Sequence, residues 1–491
     1  MRFERRSGLF LHLTSLPGPD GVGDMGAGAD AFLDFLERAD QSLWAICPVG
    51  PTSGAHGNSP YQAFSAFAGD PLLVDLRDLD ARGYVDVGEP GFPEREVAYD
   101  RVRAHKEEHL RRAFAGFREK ASDDERERFE AYRAETDWLA DYALFAALKD
   151  EFEGAAWVEW PREIKTRDPA AVERYRADLA DEVAFRAFVQ WVFDEQWDSL
   201  RERAAERGVD IVGDVPIYVA LDSADVWANP DVFEVDDTGN PTVVAGVPPN
   251  PGDSGQRWGN PLYDWGALGE TGYEWWLDRF ERVLSLTDIA RLDHFKGFDE
   301  YWAIPADSDD PADGEWRAGP SHDLFEAARE RLGGLPFVVE DLGFADGGLR
   351  ALREAFGFPA MYVPQYANWC ESGNPYQPMH YPENAIAYTS THDTDTAVGY
   401  YRSLDEDQRE CLQYNLGTDG EEIHWDLIDA VWNSNAALAL TTVPDLQGLG
   451  SEARFNTPGT AEGNWRWRAT RNEFDDATAE RLAQLTDLTL R

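Results

Sequence analysis

Short apolar segments recur along the chain, and several of them run directly into polar residues. Continuous apolar runs of this length are typical of strands that are buried on both faces of a parallel sheet. Helix-length segments separate most of the runs, and this alternation indicates an α/β fold. The eight runs are Leu9–Leu13, Leu43–Val49, Val209–Val212, Ile289–Leu292, Pro336–Val339, Pro359–Val363, Ile386–Tyr388 and Ala437–Thr442. They predict a (β/α)8 TIM barrel, in which functional residues lie at the carboxyl ends of the strands.

The uneven spacing of the runs predicts two insertions within a single barrel domain of residues 1–491. Residues 72–207 are rich in Ala, Glu, Arg and Leu, and we expect a mainly helical inserted subdomain there. A separate tethered domain is the alternative, which is disfavoured because the strand series resumes afterwards. Residues 215–272 are rich in Pro, Gly, Asn and Asp and predict an inserted loop subdomain over the site. Little sequence follows the eighth run, so we expect no β-sandwich after the barrel.

Charge narrows the range of partners. The 491 residues include 93 acidic and 45 basic side chains, for a formal net charge of −48. Such a charge repels phosphate backbones and anionic lipids, so we expect neither a nucleic-acid nor a membrane partner. Almost all basic residues are arginines, since the only lysines are Lys106, Lys120, Lys149, Lys165 and Lys296. This composition predicts a protein adapted to concentrated salt, with an ordinary acidic cytosolic protein as the alternative.

The cysteine count bears on the compartment. Cys47, Cys370 and Cys411 are too few for a disulfide framework, and none forms a CxxC pair. The apolar run near the N-terminus is too short for a secretion signal, and no stretch approaches the length of a membrane span. We therefore expect a cytoplasmic protein, and the sequence leaves its oligomeric state open.

Carboxylates are the candidate chemistry. His and Cys never cluster with metal-ligand spacing and no phosphate-binding glycine motif occurs, so we expect no metal and no cofactor. Asp214, Asp293, Glu340 and Asp393 each follow an apolar run directly or within a few residues. In a barrel these positions converge on one mouth, where four acids need a cation and at least one proton. Arg291 lies two residues before Asp293 and therefore on the same face of the strand.

Two histidines adjoin these acids, since His294 follows Asp293 and His392 precedes Asp393. An ionised carboxylate, a second carboxyl group with a raised pKa and partners for hydroxyl groups suit glycoside chemistry. A single Asp after a strand is more often a helix N-cap than a catalytic group, but capping does not account for four acids at four strand ends. Aromatic residues in nearby loops provide flat surfaces on which sugar rings stack.

Longer motifs surround these residues. They are Asn58-Ser-Pro-Tyr-Gln-Ala-Phe, Gly213-Asp-Val-Pro-Ile-Tyr, Gly255-Gln-Arg-Trp-Gly-Asn-Pro-Leu-Tyr, Arg291-Leu-Asp-His-Phe, Glu340-Asp-Leu-Gly and Thr391-His-Asp-Thr-Asp-Thr. With them, the sequence resembles glycoside hydrolase family 77, the 4-α-glucanotransferases or amylomaltases, which are relatives of the α-amylases. The resemblance extends nearly end to end, from Arg6-Ser-Gly-Leu-Phe-Leu-His-Leu to Asn-Trp-Arg-Trp-Arg468.

The resemblance implies that Asp293 is the nucleophile, Glu340 the general acid/base and Asp393 a third carboxylate that holds sugar hydroxyls. It implies substrate-binding roles for Ser59, Tyr61, Tyr99, Asp214, Gln256, Trp258, Arg291 and His392. The implied reaction is a retaining double displacement on α-1,4-glucans such as maltooligosaccharides, amylose and glycogen. The alternatives are an α-1,4-glucan hydrolase and a catalytically inactive glucan-binding protein, and the intact set of carboxylates argues against the second.

Two segments depart from the family pattern. Residues 248–254 lack the aromatic pair that usually follows Pro-Pro-Asp in the family. The run Tyr366-Ala-Asn-Trp-Cys-Glu-Ser-Gly-Asn-Pro stands where the family generally has an Asp-Gly, and Met379-His380 replaces a His-Asn. We therefore expect the outer sugar subsites and the product lengths to differ from those of the family, while the core chemistry is kept.

Overall fold

Twelve strands are found in the residues that the computed structural model describes, which are 3–250, 254–343, 347–460 and 462–491. In chain order they are β1 (Arg6–Phe10), β2 (Leu43–Ala45), β3 (Asp210–Val215), β4 (Val243–Val247), β5 (Gln256–Pro261), β6 (Ile289–Leu292), β7 (Glu300–Pro305), β8 (Glu315–Ala318), β9 (Phe337–Val339), β10 (Ala360–Tyr362), β11 (Ala385–Tyr388) and β12 (Leu438–Thr442). Eight of them pair in parallel in the order β10-β11-β12-β1-β2-β3-β6-β9. The N–H of Val339 donates to the carbonyl of Pro359 at 3.3 Å, so the sheet also meets itself at its two outer strands.

All eight predicted strands form this sheet, which confirms the (β/α)8 barrel. The first strand begins earlier than predicted, at Arg6 instead of Leu9. Its third residue is Gly8, and a Cβ there would lie 2.1 Å from the carbonyl oxygen of Leu43 in β2. The strand therefore needs glycine at this position, because two backbones approach closely there. In the sequence, the same glycine interrupts the apolar run, so the strand was predicted to begin only after it.

Helices surround the barrel and fill the long connection between β2 and β3. They are α1 (Ala27–Arg38), α2 (Leu76–Ala81), α3 (Tyr99–Lys120), α4 (Asp123–Glu135), α5 (Leu139–Glu151), α6 (Arg162–Lys165), α7 (Pro169–Asp178), α8 (Ala180–Glu206), α9 (Ala224–Ala228), α10 (Trp265–Glu270), α11 (Glu274–Leu286), α12 (Lys296–Asp299), α13 (Ser321–Leu332), α14 (Gly347–Phe356), α15 (Ala397–Ser403), α16 (Glu406–Leu416), α17 (Ile423–Asn433), α18 (Val443–Leu446) and α19 (Asp476–Thr489). Helices α2 to α8 all lie within residues 72–207. Among the described residues, no helix combines the length and the apolar character that crossing a membrane requires.

A second, antiparallel sheet lies beside the barrel, with the strand order β5-β4-β7-β8. Strands β4 and β5 belong to the predicted loop insertion, residues 215–272, but β7 and β8 come from a hairpin after the barrel strand β6. The sequence analysis did not predict this hairpin. Its pairing with β4 anchors the insertion to the chain that leaves the barrel. Of the departing segment 248–254, residues 251–253 lie outside the described residues.

Besides the main core, a smaller group of apolar side chains packs at the edge of the barrel mouth. This side cluster consists of Ala367, Trp369, Ala397, Val398, Leu412, Ile423 and Leu427. A disulfide joins Cys370, in the segment that follows β10, to Cys411 in α16. Cys47 is a free, buried thiol. The cysteine count alone gave no indication that two of the three cysteines are paired.

Candidate active site

The parallel strands bring the four predicted acids to the same end of the barrel. Asp214 lies near the end of β3, and Asp293, Glu340 and Asp393 follow β6, β9 and β11. The mouth opens into a cleft of about 1060 Å³, whose lining includes Asp293, Asp393 and Tyr61. Ligand pockets for small molecules are typically ~300–1,000 Å³. The cleft is therefore large enough for a chain of several sugar rings.

Arg291 lies between two of the acids. Its side chain is 91% buried, with Nη1 2.5 Å from Oδ2 of Asp214 and Nη2 2.8 Å from Oδ1 of Asp293. Asp214 and Arg291 are also register partners on neighbouring strands, which fixes their spacing through the backbone. Burial raises the pKa of Asp214 to about 6, against the opposing pull of Arg291. A guanidinium in this position holds the Asp293 carboxylate in an ion pair.

Glu340 is held by two backbone N–H groups. Its Oε1 accepts from Leu342 at 2.8 Å and its Oε2 accepts from His294 at 3.0 Å. The His294 backbone has a φ of 48°, in the left-handed region that a non-glycine residue rarely adopts. Such strained conformations are often found at functional sites, and here the strained residue supplies one of the two donors. Burial, and then the charge of Asp293, raise the pKa of Glu340 to about 7.

The third acid, Asp393, has one partner in the preceding residue and one in a distant part of the chain. His392 Nε2 lies 3.3 Å from its Oδ2, and the amide of Asn456 donates to its Oδ1 at 2.6 Å. Although burial opposes ionisation, His392 and Asn456 hold the pKa of Asp393 well below its usual range. Burial likewise opposes a charge on His392, but the Asp393 carboxylate raises the pKa of this imidazole. Asp393 is therefore a permanent anion at neutral pH.

Aromatic rings form part of the wall beside these acids. The Tyr61 ring stacks on His392 with 5.0 Å between ring centroids, and its hydroxyl donates to Asp214 at 2.7 Å. Ser59, at the same turn, accepts from the Tyr61 N–H at 3.2 Å. Burial lowers the pKa of His294 to about 4, so this imidazole is neutral at pH 7.

The opposite side of the cleft is formed by β5. Gln256 and Trp258 both line the cleft, and Trp258 Nε1 donates to the Gln256 side-chain oxygen at 2.9 Å. The Trp258 ring meets His294 edge-on, with 4.8 Å between centroids. Trp258 therefore lies next to the turn that carries Asp293, with Gln256 bound to it.

The structure does not bring Tyr99 to the others. Tyr99 is 93% buried at the start of α3, and its hydroxyl donates to the backbone carbonyl of Trp465 at 2.7 Å. Three residues that the sequence analysis did not single out lie close to the acids. Trp465 lines the cleft, Asn456 binds Asp393, and Arg454 donates to the Asp393 carbonyl at 2.6 Å. Of the three, only Trp465 lies within the C-terminal motif of the sequence analysis, residues 464–468, and no role was assigned to it there.

A cluster of acids in the helical insertion has the spacing of a metal site. Among the described residues, Glu107, Asp150 and Glu182 form the one group of three acids whose oxygens lie close enough to share an ion. Arg186 forms ion pairs with all three, so a guanidinium already occupies the position of a cation. This group lies in the helical insertion and not at the barrel mouth.

Two carboxyl groups at the barrel mouth, those of Asp293 and Glu340, have different surroundings. Asp293 is ion-paired with Arg291, while the pKa of Glu340 is raised to about 7, so Glu340 can carry a proton. One ionised carboxylate and one protonatable carboxyl group form the pair that cleaves glycosidic bonds. The third carboxylate and the aromatic wall supply contacts for hydroxyl groups and sugar faces.

Comparisons with known proteins agree with this chemistry. A family profile described as 4-alpha-glucanotransferase matches residues 11–473. The chain is 45% identical to a 4-alpha-glucanotransferase of Thermus thermophilus, with all of both chains covered. It is 44% identical to one of Synechocystis sp., covering 99% of this chain and 98% of the relative. The structure is similar to an amylomaltase of Streptococcus agalactiae solved with acarbose, with a TM-score of 0.96, 33% identity and coverage of 99% and 100%. An amylomaltase of Corynebacterium glutamicum, 18% identical with a TM-score of 0.78 and coverage of 98% and 75%, shares the fold.

Proposed function

The chain belongs to the 4-alpha-glucanotransferase family, glycoside hydrolase family 77, and from this we propose that Asp293, Glu340 and Asp393 carry out the transfer of α-1,4-glucan segments. The observation that carries the proposal is the contrast between two carboxyl groups. Asp293 is ion-paired with Arg291, whereas the pKa of Glu340 is raised to about 7 by burial and by the neighbouring Asp293 charge. A nucleophile must be ionised and a general acid must be protonated, and the two environments meet these requirements.

The first half-reaction breaks the donor. An oxygen of Asp293 attacks the anomeric carbon while Glu340 donates its proton to the departing glycosidic oxygen. The reducing-end part of the donor leaves as an alcohol, and the remaining segment is joined to Asp293 as an ester. Charge develops on the sugar ring in the transition state, and the permanent anion Asp393 lies where it stabilises that charge while it binds hydroxyl groups.

The second half-reaction builds the product. Glu340, now a carboxylate, removes the proton from the 4-hydroxyl of an acceptor glucan or of glucose. The acceptor oxygen attacks the anomeric carbon and displaces Asp293, so two inversions retain the α configuration. Water in the acceptor position would give hydrolysis instead. The chain is similar to 4-alpha-glucanotransferases over its whole length, and this similarity favours transfer over hydrolysis.

The remaining predicted residues take substrate-binding roles. Tyr61, fixed by Asp214 and His392, presents an aromatic surface to the donor sugar, with Ser59 at the same turn. Gln256 and Trp258 bind the acceptor side across the cleft. Tyr99 is left out of the sugar contacts, because its hydroxyl is already bound to the backbone beneath the cleft wall.

We also propose the substrates and the division of the chain. Maltooligosaccharides, amylose and glycogen serve as donors, and the insertions at residues 72–207 and 215–272 form subdomains that cover the barrel mouth. The cytoplasmic location stays a prediction of the sequence. The paired Cys370 and Cys411 are an observation that bears against a strongly reducing compartment.

Incubation of the pure protein with maltotriose alone tests the proposed reaction. Transfer gives glucose together with oligomers longer than the substrate. Glucose and maltose without longer products would show a hydrolase, and unchanged maltotriose would show a protein that only binds glucans.

The roles of the two carboxyl groups are tested separately. Asp293→Ala should abolish transfer, while Glu340→Gln should still accept a maltosyl donor whose leaving group needs no protonation. Mass spectrometry of Glu340→Gln with that donor should then show a covalent adduct. An adduct on Asp293→Ala would mean that another residue is the nucleophile.

A further inference from the structure

An exposed aromatic residue lies between two of the proposed catalytic acids. In the barrel, β10 lies between β9, which leads to Glu340, and β11, which leads to Asp393. After β10 the chain makes a turn over Pro364–Tyr366, and Tyr366 is 50% exposed. Burial, and then the charges of Glu340 and Asp393, raise the pKa of Tyr366 to about 12, in agreement with this location. Tyr366 is thus placed to contact a glucan at the edge of the cleft.

The segment that carries Tyr366 has little regular structure of its own. From residue 367 to residue 377 no helix or strand is formed, and these residues are held mainly by side chains. The Gln377 amide donates to the carbonyls of Asn368, Trp369 and Glu371, each at 3.2 Å. The segment includes the run that departs from the family pattern.

The segment packs against the side cluster and not against the barrel core. Trp369 is buried in that cluster, its N–H donates to Gln408 at 3.1 Å, and its indole donates to the Tyr400 hydroxyl at 2.9 Å. Directly after Trp369, Cys370 forms the disulfide with Cys411 of α16. This covalent link therefore lies four residues from Tyr366 and ties its segment to a helix outside the cleft.

We propose that the Cys370–Cys411 disulfide positions Tyr366 for glucan binding, so that its reduction weakens binding of the glucan but not the chemical steps. The inference rests on the proposed function, because it requires a glucan in the cleft. Without the disulfide, the bound glucan must itself order the segment, and the free energy that this ordering costs weakens the binding of the glucan. The free energy of fixing the backbone of a single residue corresponds to binding that is about fivefold weaker. Cys370 and Cys411 are thus positioning residues.

The link is accessible to reductants, because Cys370 is exposed. A thiolate of a dithiol attacks the Cys370 sulfur and displaces the Cys411 thiolate. The second thiol of the reductant then displaces Cys370 from the mixed disulfide. The protein gains two electrons and two protons, and the reductant leaves as a cyclic disulfide.

The test compares oxidised and reduced protein with maltotriose as substrate. Peptide mapping without reductant should first show Cys370 linked to Cys411, and free thiols in the air-oxidised protein would overturn the proposal. Treatment with dithiothreitol should raise KM about fivefold and leave kcat within about twofold. Cys370→Ser/Cys411→Ser should show the raised KM and no further response to dithiothreitol. Ser372→Ala, in the same exposed segment, is the control that should respond as the unmodified protein does.

A lowered melting temperature with an unchanged KM would overturn the proposal, because the disulfide would then be only structural. Tyr366→Ala in the oxidised protein should also raise KM and should remove most of the effect of reduction. The product pattern separates this inference from the proposed function. Oligomers longer than maltotriose with a redox-independent KM would refute the role of the disulfide alone, whereas the absence of longer oligomers would refute the transferase proposal.

Discussion

Replacing Glu340 by Gln should remove transfer activity and yet stabilise the protein at pH 8 relative to pH 5. In the folded protein, burial and then the Asp293 charge raise the pKa of Glu340 from 4.5 to about 7. The folded state therefore binds this proton more tightly than the unfolded state. The resulting stabilisation is fully present below pH 4.5 and is lost as the pH rises through 7. Glutamine does not ionise, so the variant is free of this loss.

The expected size follows from the pKa values. Each tenfold change in acid strength corresponds to about 1.4 kcal/mol, so an ionised Glu340 lowers the free energy of unfolding by about 3 kcal/mol at pH 8. This is an upper limit, because Glu340 is partly exposed and cleft water solvates its charge. In Gln an amide nitrogen, which cannot accept a hydrogen bond, replaces one of the two oxygens, so the N–H of either His294 or Leu342 loses its acceptor. That loss is about 1–3 kcal/mol at every pH and cancels in the comparison.

Urea unfolding at pH 5 and pH 8, in molar KCl, measures both proteins under the same screening. The stability of Glu340→Gln relative to the unmodified protein should increase between the two pH values by up to about 3 kcal/mol. Glu330→Gln, at an exposed position of α13, is the matched control and should show no such increase. An equal difference at both pH values, or a smaller one at pH 8, would refute the raised pKa of Glu340.

Three further changes test the electrostatics. Arg291→Met leaves Asp214 and Asp293 without their cation, so we expect no activity and a free energy of unfolding in urea that is lower by about 3–5 kcal/mol. An unchanged free energy of unfolding would contradict the central ion pair. Asn456→Ala removes the 2.6 Å donor to Asp393, and kcat should fall about tenfold while the melting temperature changes little; an unchanged kcat would show that the donor is dispensable. Removal of salt should unfold the acidic helices of residues 99–207 first, since the Debye length grows from ~3 Å at 1 M to ~30 Å at 0.01 M. Circular dichroism and activity, followed from molar to millimolar KCl, check this, and full activity in dilute buffer would count against it.

The barrel could be predicted because each of its strands contains or adjoins a short, mainly apolar run and because several runs end in polar residues. This signal depends only on local sequence, and it failed locally where Gly8 interrupts the first run. The hairpin of β7 and β8 gave no such signal. Burial alternates in only part of β7, β8 has no buried residue, and the strand β4 that pairs with β7 lies more than 50 positions earlier in the chain.

The site was predictable where a functional residue directly follows a strand, as Asp293 and Glu340 do. Residues that act through tertiary contacts were not. Asn456 reaches Asp393 across 63 residues of sequence, and no local pattern encodes that distance. For Tyr99, no local pattern shows that its hydroxyl binds the backbone carbonyl of Trp465, which is far away in the sequence. The pairing of Cys370 with Cys411 depends on how α16 folds back onto the segment after β10, which cysteine spacing does not reveal.

The burial of Arg291 divides the protein into two electrostatic compartments. Ions in concentrated brine reach the acidic exterior and screen it, but they have little access to a guanidinium that is enclosed between Asp214 and Asp293. Acidic residues can therefore be added to the exterior or removed from it without changing the ionisation of the acids at the barrel mouth. Adaptation to a new environment and preservation of the chemistry then act on separate sets of residues.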